Sequence, residues 1–306
     1  MVASRQIRAM GTVIDITLSD DASEELITLA ETRVQQYEHR FSANDATSEL
    51  MQINSNAGIK AVTVKPELFD LIQLGYFHSL NKDDYLNIAI GPLIQTWRIG
   101  FENARVPAQA EICYQLQLID PQQIVLNPDK CSVFLPKKGM KIDLGALAKG
   151  YIADLLVAEL QQVGATAGLV NLGGNVLTFG ISNHQDGLWR IGIRDPNGTE
   201  SDLARVLKVG TKSVVTSGIY ERTLQVSGQT YHHIFDSTTG YPIATNLASL
   251  TIISNDSVSG EIWTTRLFGY SAPEILRRVS NLPGIEAVIL LKDGTEYLSA
   301  GMSAYI

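Results

Sequence analysis

Lys141-Ile-Asp-Leu-Gly-Ala-Leu-Ala-Lys-Gly-Tyr151 and, further on, Gly168-Leu-Val-Asn-Leu-Gly-Gly-Asn175 decide the fold class. Residues 141–144 read as a strand end. Helical spacing follows over 145–162, with Asp143 placed to cap it. Residues 168–172 read as a second strand that stops at Gly173-Gly174. Beyond it, 189–194, 207–209, 213–216, 222–226, 232–235 and 248–253 read as successive strands. Helices are predicted over 257–268 and 272–279, and a late strand over 287–291. Strand runs mixed with helices predict an α+β fold, not strict βαβ alternation.

Toward the N-terminus, residues 10–18 alternate like an edge or half-buried strand. Residues 19–23 offer N-caps to helical spacing over 24–41. A polar loop over 41–48 leads to a short helix over 48–54, and 66–79 form an amphipathic helix. Gly91-Pro92 opens a further helical segment within 87–97. Residues 98–121 have no dominant period. Residues 123–126 and 132–135 pair around Asn127-Pro-Asp-Lys130. No repeat, low-complexity stretch or linker is visible, so one compact domain over 1–306 is expected, with mixed sheets flanked by helices.

The chain has 306 residues, of which 45% are hydrophobic and 18% charged, enough for a sizeable core. Its formal net charge of −8 argues against a nucleic-acid partner or a broad anionic-lipid footprint. A few amides and basic side chains can still bind a phosphate locally. No apolar run is long enough for a membrane span. Residues 1–9 hold Arg5 and Arg8 without an apolar segment behind them, so a cytoplasmic protein is expected; a trimmed, exported chain would read the same. Cys113 and Cys131 form no disulfide framework and read as free thiols. Dinucleotide, P-loop, hydrolase-elbow and zinc motifs are all missing.

Five segments can carry chemistry. Residues 143–151 run from a strand end into a helix N-terminus, where free amides, the helix dipole and Lys149 favour a phosphate; a plain capped helix is the simpler reading. Gly173-Gly174 allows close backbone approach to a ligand, or only a tight turn. Thr216-Ser-Gly218 with Arg222 makes an anion-accepting turn or a hairpin corner. In Tyr231-His-His-Ile-Phe-Asp236, period two places His232 and His233 on opposite faces, with Asp236 at the strand end. Glu261 and Thr265 stand four apart on one helical face. Their hard oxygens suit Mg²⁺ or Ca²⁺, although such pairs are usually solvated.

Taken together, these segments resemble the ApbE-like FAD:protein FMN transferases. The resemblance runs from Met10-Gly-Thr12 through Phe41-Ser42, Ser48-Glu-Leu50, Asn54, Gly91-Pro92 and Trp97. It continues through residues 143–150 and 171–175, Thr216-Ser-Gly218 and His233-Ile-Phe-Asp236, and reaches the helix with Thr265. It implies a T-fold-like core, FAD as substrate and Mg²⁺ as cofactor. It also implies FAD contacts at Met10, Asn44, Asn87, Asp143, Lys149, Gly173, Gly174, Ser217 and Ile234. Mg²⁺ ligands are implied at Ala146 (carbonyl), Glu261 and Thr265, and catalysis at His233 with Asp236. The chain departs from the family where Glu261 replaces an aspartate, Asn44 an aromatic residue, Leu86-Asn-Ile-Ala89 a Phe-Asp-Pro-Thr stretch, and Ser237 a proline.

The implied reaction moves FMN from FAD to a threonine or serine hydroxyl of an acceptor flavoprotein with a Ser/Asp-Gly-x-Ser/Thr-type site, and releases AMP. A Mg²⁺-dependent FAD pyrophosphatase would use the same residues with water as acceptor. A flavin carrier without turnover is a third reading.

Overall fold

The computed structural model describes residues 3–19, 24–199 and 201–306. In chain order the elements are β1 (Ala3–Ala9), β2 (Thr12–Leu18), α1 (Glu24–Phe41), α2 (Glu49–Ser55), β3 (Val62–Thr63), α3 (Pro66–Ser79), α4 (Gly91–Trp97) and α5 (Gln109–Leu116). They continue with β4 (Val125–Asn127), β5 (Ser132–Phe134), α6 (Ala148–Gln162), β6 (Gly168–Leu172), β7 (Asn175–Phe179), β8 (Trp189–Arg194), β9 (Leu203–Val209) and β10 (Ser213–Gly218). The last are β11 (Thr223–Val226), β12 (Gln229–His232), β13 (Leu247–Ser254), α7 (Ser257–Leu267), α8 (Ala272–Val279), β14 (Glu286–Leu291) and β15 (Glu296–Leu298). The class is α+β, as expected. Ladders between these strands are all antiparallel.

The chain divides into two compact units. The first comprises residues 1–38, 148–218 and 245–306. Its eight-stranded sheet runs β1-β2-β6-β7-β10-β13-β14-β15. Every residue of β13 is buried, because both faces of the sheet are covered. Val214 and Ile253 pack with Ile191, Ile193, Leu207 and Val209 of the β8–β9 hairpin. The adjacent Val215 points to the other face, against Gly260 of α7. The apolar content of β13 therefore reflects burial on both faces, the usual cause of a run without alternation.

The second unit comprises residues 39–147 and 219–244. Its core is built around Trp97, fully buried with Leu93, Ile112, Ile119 and Phe235. The Trp97 indole N–H donates to the Gly240 carbonyl at 3.0 Å. The rings of Tyr231, Phe235 and Tyr241 surround it at 5.4–5.7 Å, tilted or edge-on as ring quadrupoles favour. Small sheets β3-β5-β4 and β11-β12 complete the unit.

Several local expectations are corrected. Met10 is not in a strand: Met10 and Gly11, at φ 54° and 71°, form the two-residue turn of the β1–β2 hairpin, in which Ala9 pairs with Thr12. Positive φ at both turn positions matches the right-handed twist of the strands. Residues 141–144 form no strand, only an isolated parallel bridge from Lys141 to Ile90. Helix α6 begins at Ala148, so Asp143 caps a preceding turn through Gly145 N–H (2.8 Å), and Lys149 is the second helical residue. The N-caps expected over 20–23 lie outside the described residues.

Candidate functional site

In the first unit, one end of the large sheet collects four of the expected FAD contacts. The hairpin turn at Met10 opens β2, and Gly173-Gly174 joins β6 to β7 beside it: a Cβ on Gly173 would lie 2.2 Å from Thr12 Oγ1. Both glycines have positive φ, 64° and 86°, so the turn needs them. Gly174 accepts a hydrogen bond from Thr216 N–H at 3.2 Å, which brings Ser217 on β10 to the same end. Met10 N–H donates to Glu38.

Directly behind this end lies a buried polar group. Glu261 on α7 is 4% exposed, which overturns the solvated-face alternative. Its Oε1 accepts from Asn175 Nδ2 at 2.9 Å and lies 3.8 Å from Lys149 Nζ. Burial pushes the Glu261 carboxyl above the usual carboxylate range, while Lys149, Asn175 and the Gly150 N–H pull it back. Lys149 keeps 28% of its side chain exposed, so its ammonium can reach a second anion. Thr265, one turn on from Glu261, is half-buried.

Helices α6 and α7 approach closely because Gly150 has no side chain. A Cβ there would meet Ser257 O at 2.5 Å and Glu261 Cγ at 2.8 Å. Asp154, on α6, accepts from the N–H groups of Ser257 (2.7 Å) and Val258 (2.8 Å). It thus satisfies first-turn donors of α7 alongside the N-cap Asp256. Burial raises its carboxyl to about 6. Sequence reading missed Asp154; its signal was an acid within the apolar run Ile152-Ala-Asp-Leu-Leu156.

In the second unit, Asp143 is positioned by its neighbours. The buried Asn54 side chain mimics a strand partner, donating to Ile142 O (2.9 Å) and accepting from Ile142 N–H (2.7 Å). Asp143 N–H donates to Ile88 O at 2.9 Å. Loss of hydration raises the Asp143 carboxyl, and the Gly145 N–H and the Arg222 guanidinium pull it down. Asn87 brackets its own loop, donating to Ile119 O (2.9 Å) and accepting from Ala89 N–H (2.8 Å). Asn44 is exposed, and its N–H donates to Ser42 Oγ. Ala146 lies in the exposed turn ahead of α6.

Strand β12 ends at His232, so His233 and Ile234 lie just past it, and the alternation argument for the two histidines does not apply. His232 is buried and structural: its Nε2–H donates to Ile243 O at 3.0 Å and its Nδ1 accepts from Ile234 N–H. His233 is half-buried, and its Nδ1–H donates to the Arg222 carbonyl at 3.3 Å. A carbonyl only accepts, so the neutral ring carries its lone pair on Nε2. That is the form a general base needs. Asp236 Oδ1 accepts from Thr238 N–H and Oγ. The Tyr85 hydroxyl is raised by burial and by the Asp236 charge; sequence reading gave no role to Tyr85.

Among the described residues no three His, Cys, Asp or Glu side chains form a metal cluster. The oxygens of Glu261 and Thr265 still fit Mg²⁺, which typically takes one or two carboxylates and fills its shell with water and substrate phosphate.

Comparison with known proteins gives one consistent result. The FAD:protein FMN transferase of Klebsiella pneumoniae (strain 342) is 42% identical over 267 residues, 87% of this chain and 82% of that protein. Its namesake from Treponema pallidum (strain Nichols) is 34% identical over 293 residues, 92% and 80%. The crystal structure of the ApbE protein from Thermotoga maritima matches with a TM-score of 0.89 at 27% identity, over 100% of this chain and 99% of that one. The sequence profile of the ApbE family matches residues 10–289, and the chain belongs to that family.

Proposed function

We propose that this protein is an FAD:protein FMN transferase. It takes FMN from FAD and attaches it to a threonine or serine hydroxyl of an acceptor protein, and the chain acts as one domain over 1–306. The observation that carries this reading is the 42% identity, over most of both chains, to a relative of that name. The local chemistry supports it. The acceptor hydroxyl oxygen attacks the FMN-side phosphorus of FAD, the P–O bond to the AMP phosphate breaks, and AMP leaves with its electron pair. The hydroxyl proton passes to Nε2 of His233, with Asp236 as the neighbouring carboxylate. Lys149 and helix amides neutralise and hold phosphate oxygens; Met10, Asn44, Asn87, Asp143, Gly173, Gly174, Ser217 and Ile234 complete the FAD contacts. Phosphoryl transfer depends chiefly on such alignment and charge neutralisation.

Mg²⁺ would supply further charge neutralisation on the pyrophosphate, held by the hard oxygens of Glu261 and Thr265; Ala146 enters through the family resemblance alone. The acceptor is a flavoprotein with a Ser/Asp-Gly-x-Ser/Thr-type site, and the proposed compartment is the cytoplasm.

Incubation with FAD, Mg²⁺ and a candidate acceptor tests the reading. Mass spectrometry of the denatured acceptor should show an added FMN together with stoichiometric AMP. Free FMN and AMP with an unmodified acceptor would point instead to a pyrophosphatase, and FAD bound without AMP release to a carrier.

A further inference from the structure

Behind Glu261 the first unit holds a line of polar side chains that the proposed chemistry does not use. Ser213, Asn175 and Ser257 are each 0% exposed. Ser213 Oγ donates to Ser257 Oγ at 3.0 Å. Ser257 Oγ donates to Asn175 Oδ1 at 2.5 Å. Asn175 Nδ2 donates to Glu261 Oε1 at 2.9 Å.

With Glu261 ionised, as a cation ligand must be, the direction of this relay is fixed. An ionised carboxylate only accepts, so the amide must turn its NH₂ toward Glu261. Its carbonyl then faces Ser257, whose hydroxyl must donate to it. Ser257 and Asn175 donate toward the carboxylate, while the Ser213 hydroxyl is shared between Ser257 Oγ and the Val176 carbonyl at 3.4 Å; hydrogen bonds aligned in this way polarise one another. The relay joins three elements: Ser213 on β10, Asn175 on β7, and Ser257 with Glu261 on α7.

We propose that Asn175 is the positioning residue for Glu261: its amide, locked in one orientation by Ser257, fixes the carboxylate for a divalent cation. This rests on the reading of Glu261 as a metal ligand. Partners that orient a ligand in this way typically change metal affinity by about 10–100-fold when removed.

The test is Mn²⁺ binding to the full chain in the presence of FAD, followed by the electron paramagnetic resonance of the free ion, with a melting curve for each variant. Asn175→Leu keeps the approximate volume and removes the donor; it should weaken Mn²⁺ binding about 10–100-fold. Ser257→Ala frees the amide to rotate and should weaken binding in the same direction but less. Glu261→Gln should abolish the specific site and make Asn175→Leu silent when the two are combined, a coupling that general loss of stability would not produce. If Asn175→Leu does not fold, Ser257→Ala decides. Parent-like Mn²⁺ affinity in a folded Asn175→Leu or Ser257→Ala variant, with the site lost in Glu261→Gln, overturns the role of Asn175 and leaves the ligand reading standing. Parent-like affinity in Glu261→Gln overturns the ligand reading itself.

Discussion

At the scale of single residues, the two adjacent histidines separate cleanly. His233→Ala should leave FAD binding near the parent level and lower single-turnover transfer by about 10²–10⁴-fold, the usual loss of a general base; unchanged transfer would remove it from the mechanism. His232→Ala should act on stability, because it leaves the Ile243 carbonyl and the Ile234 N–H without their buried partner. A loss of about 1–3 kcal/mol in denaturant unfolding is expected, the reverse of the tolerance that alternation along a strand would have assigned. For Glu261, replacement by Gln keeps the shape, removes the charge and leaves Lys149 without its carboxylate. Titrating Mg²⁺ against AMP release should show a sharply raised requirement, with Glu261→Asp retaining partial activity. A parent-like titration for Glu261→Gln would place the metal on another acid.

At the scale of elements, the α6–α7 contact makes two predictions. Gly150→Ala puts a methyl group 2.5 Å from the Ser257 carbonyl and should cost about 1–3 kcal/mol by overpacking; a melting curve matching the parent would show that the helices can part. Asp154 gives a pH signature. Its folded pKa of about 6 lies above the 3.8 of a free aspartate, so between those values the folded state holds the proton that the unfolded chain releases. Its contribution to stability therefore falls as pH rises from about 4 to 6, by about 3 kcal/mol in all. Urea unfolding across that window should give a flatter profile for Asp154→Asn than for the parent. These elements also show what the sequence makes legible. Helices α1, α3 and α8 fall where their apolar spacing puts them, because the period of a helix is written in its own residues. Strands β1, β7 and β15 went unread: short strands carry little local pattern and owe their existence to neighbours distant in sequence. The candidate site was legible as residue types, since Lys149, Glu261 and His233 stood out. The tautomer of His233, the burial of Glu261 and the relay through Asn175 depend on partners far along the chain and were not.

At the scale of the whole molecule, no helix among the described residues is long and apolar enough to cross a membrane, and Cys113 and Cys131 are both free thiols. Cell fractionation with the full-length native gene tests the cytoplasmic location proposed above; recovery in the membrane or an exported fraction would overturn it. The interleaving of the two units has a consequence for biosynthesis. The first unit is assembled from three stretches of chain, and β13, every residue of which is buried, has β10 on one edge and β14 on the other. A ribosome releases β10 well before β13, and β14 comes last of the three. During that interval the nascent polypeptide presents a long strand, built for burial on both faces, with one open edge, the kind of template to which other chains add. Messages truncated between codons 255 and 285 should therefore give aggregated product that depends on chaperones, and solubility should return only once β14 has been translated.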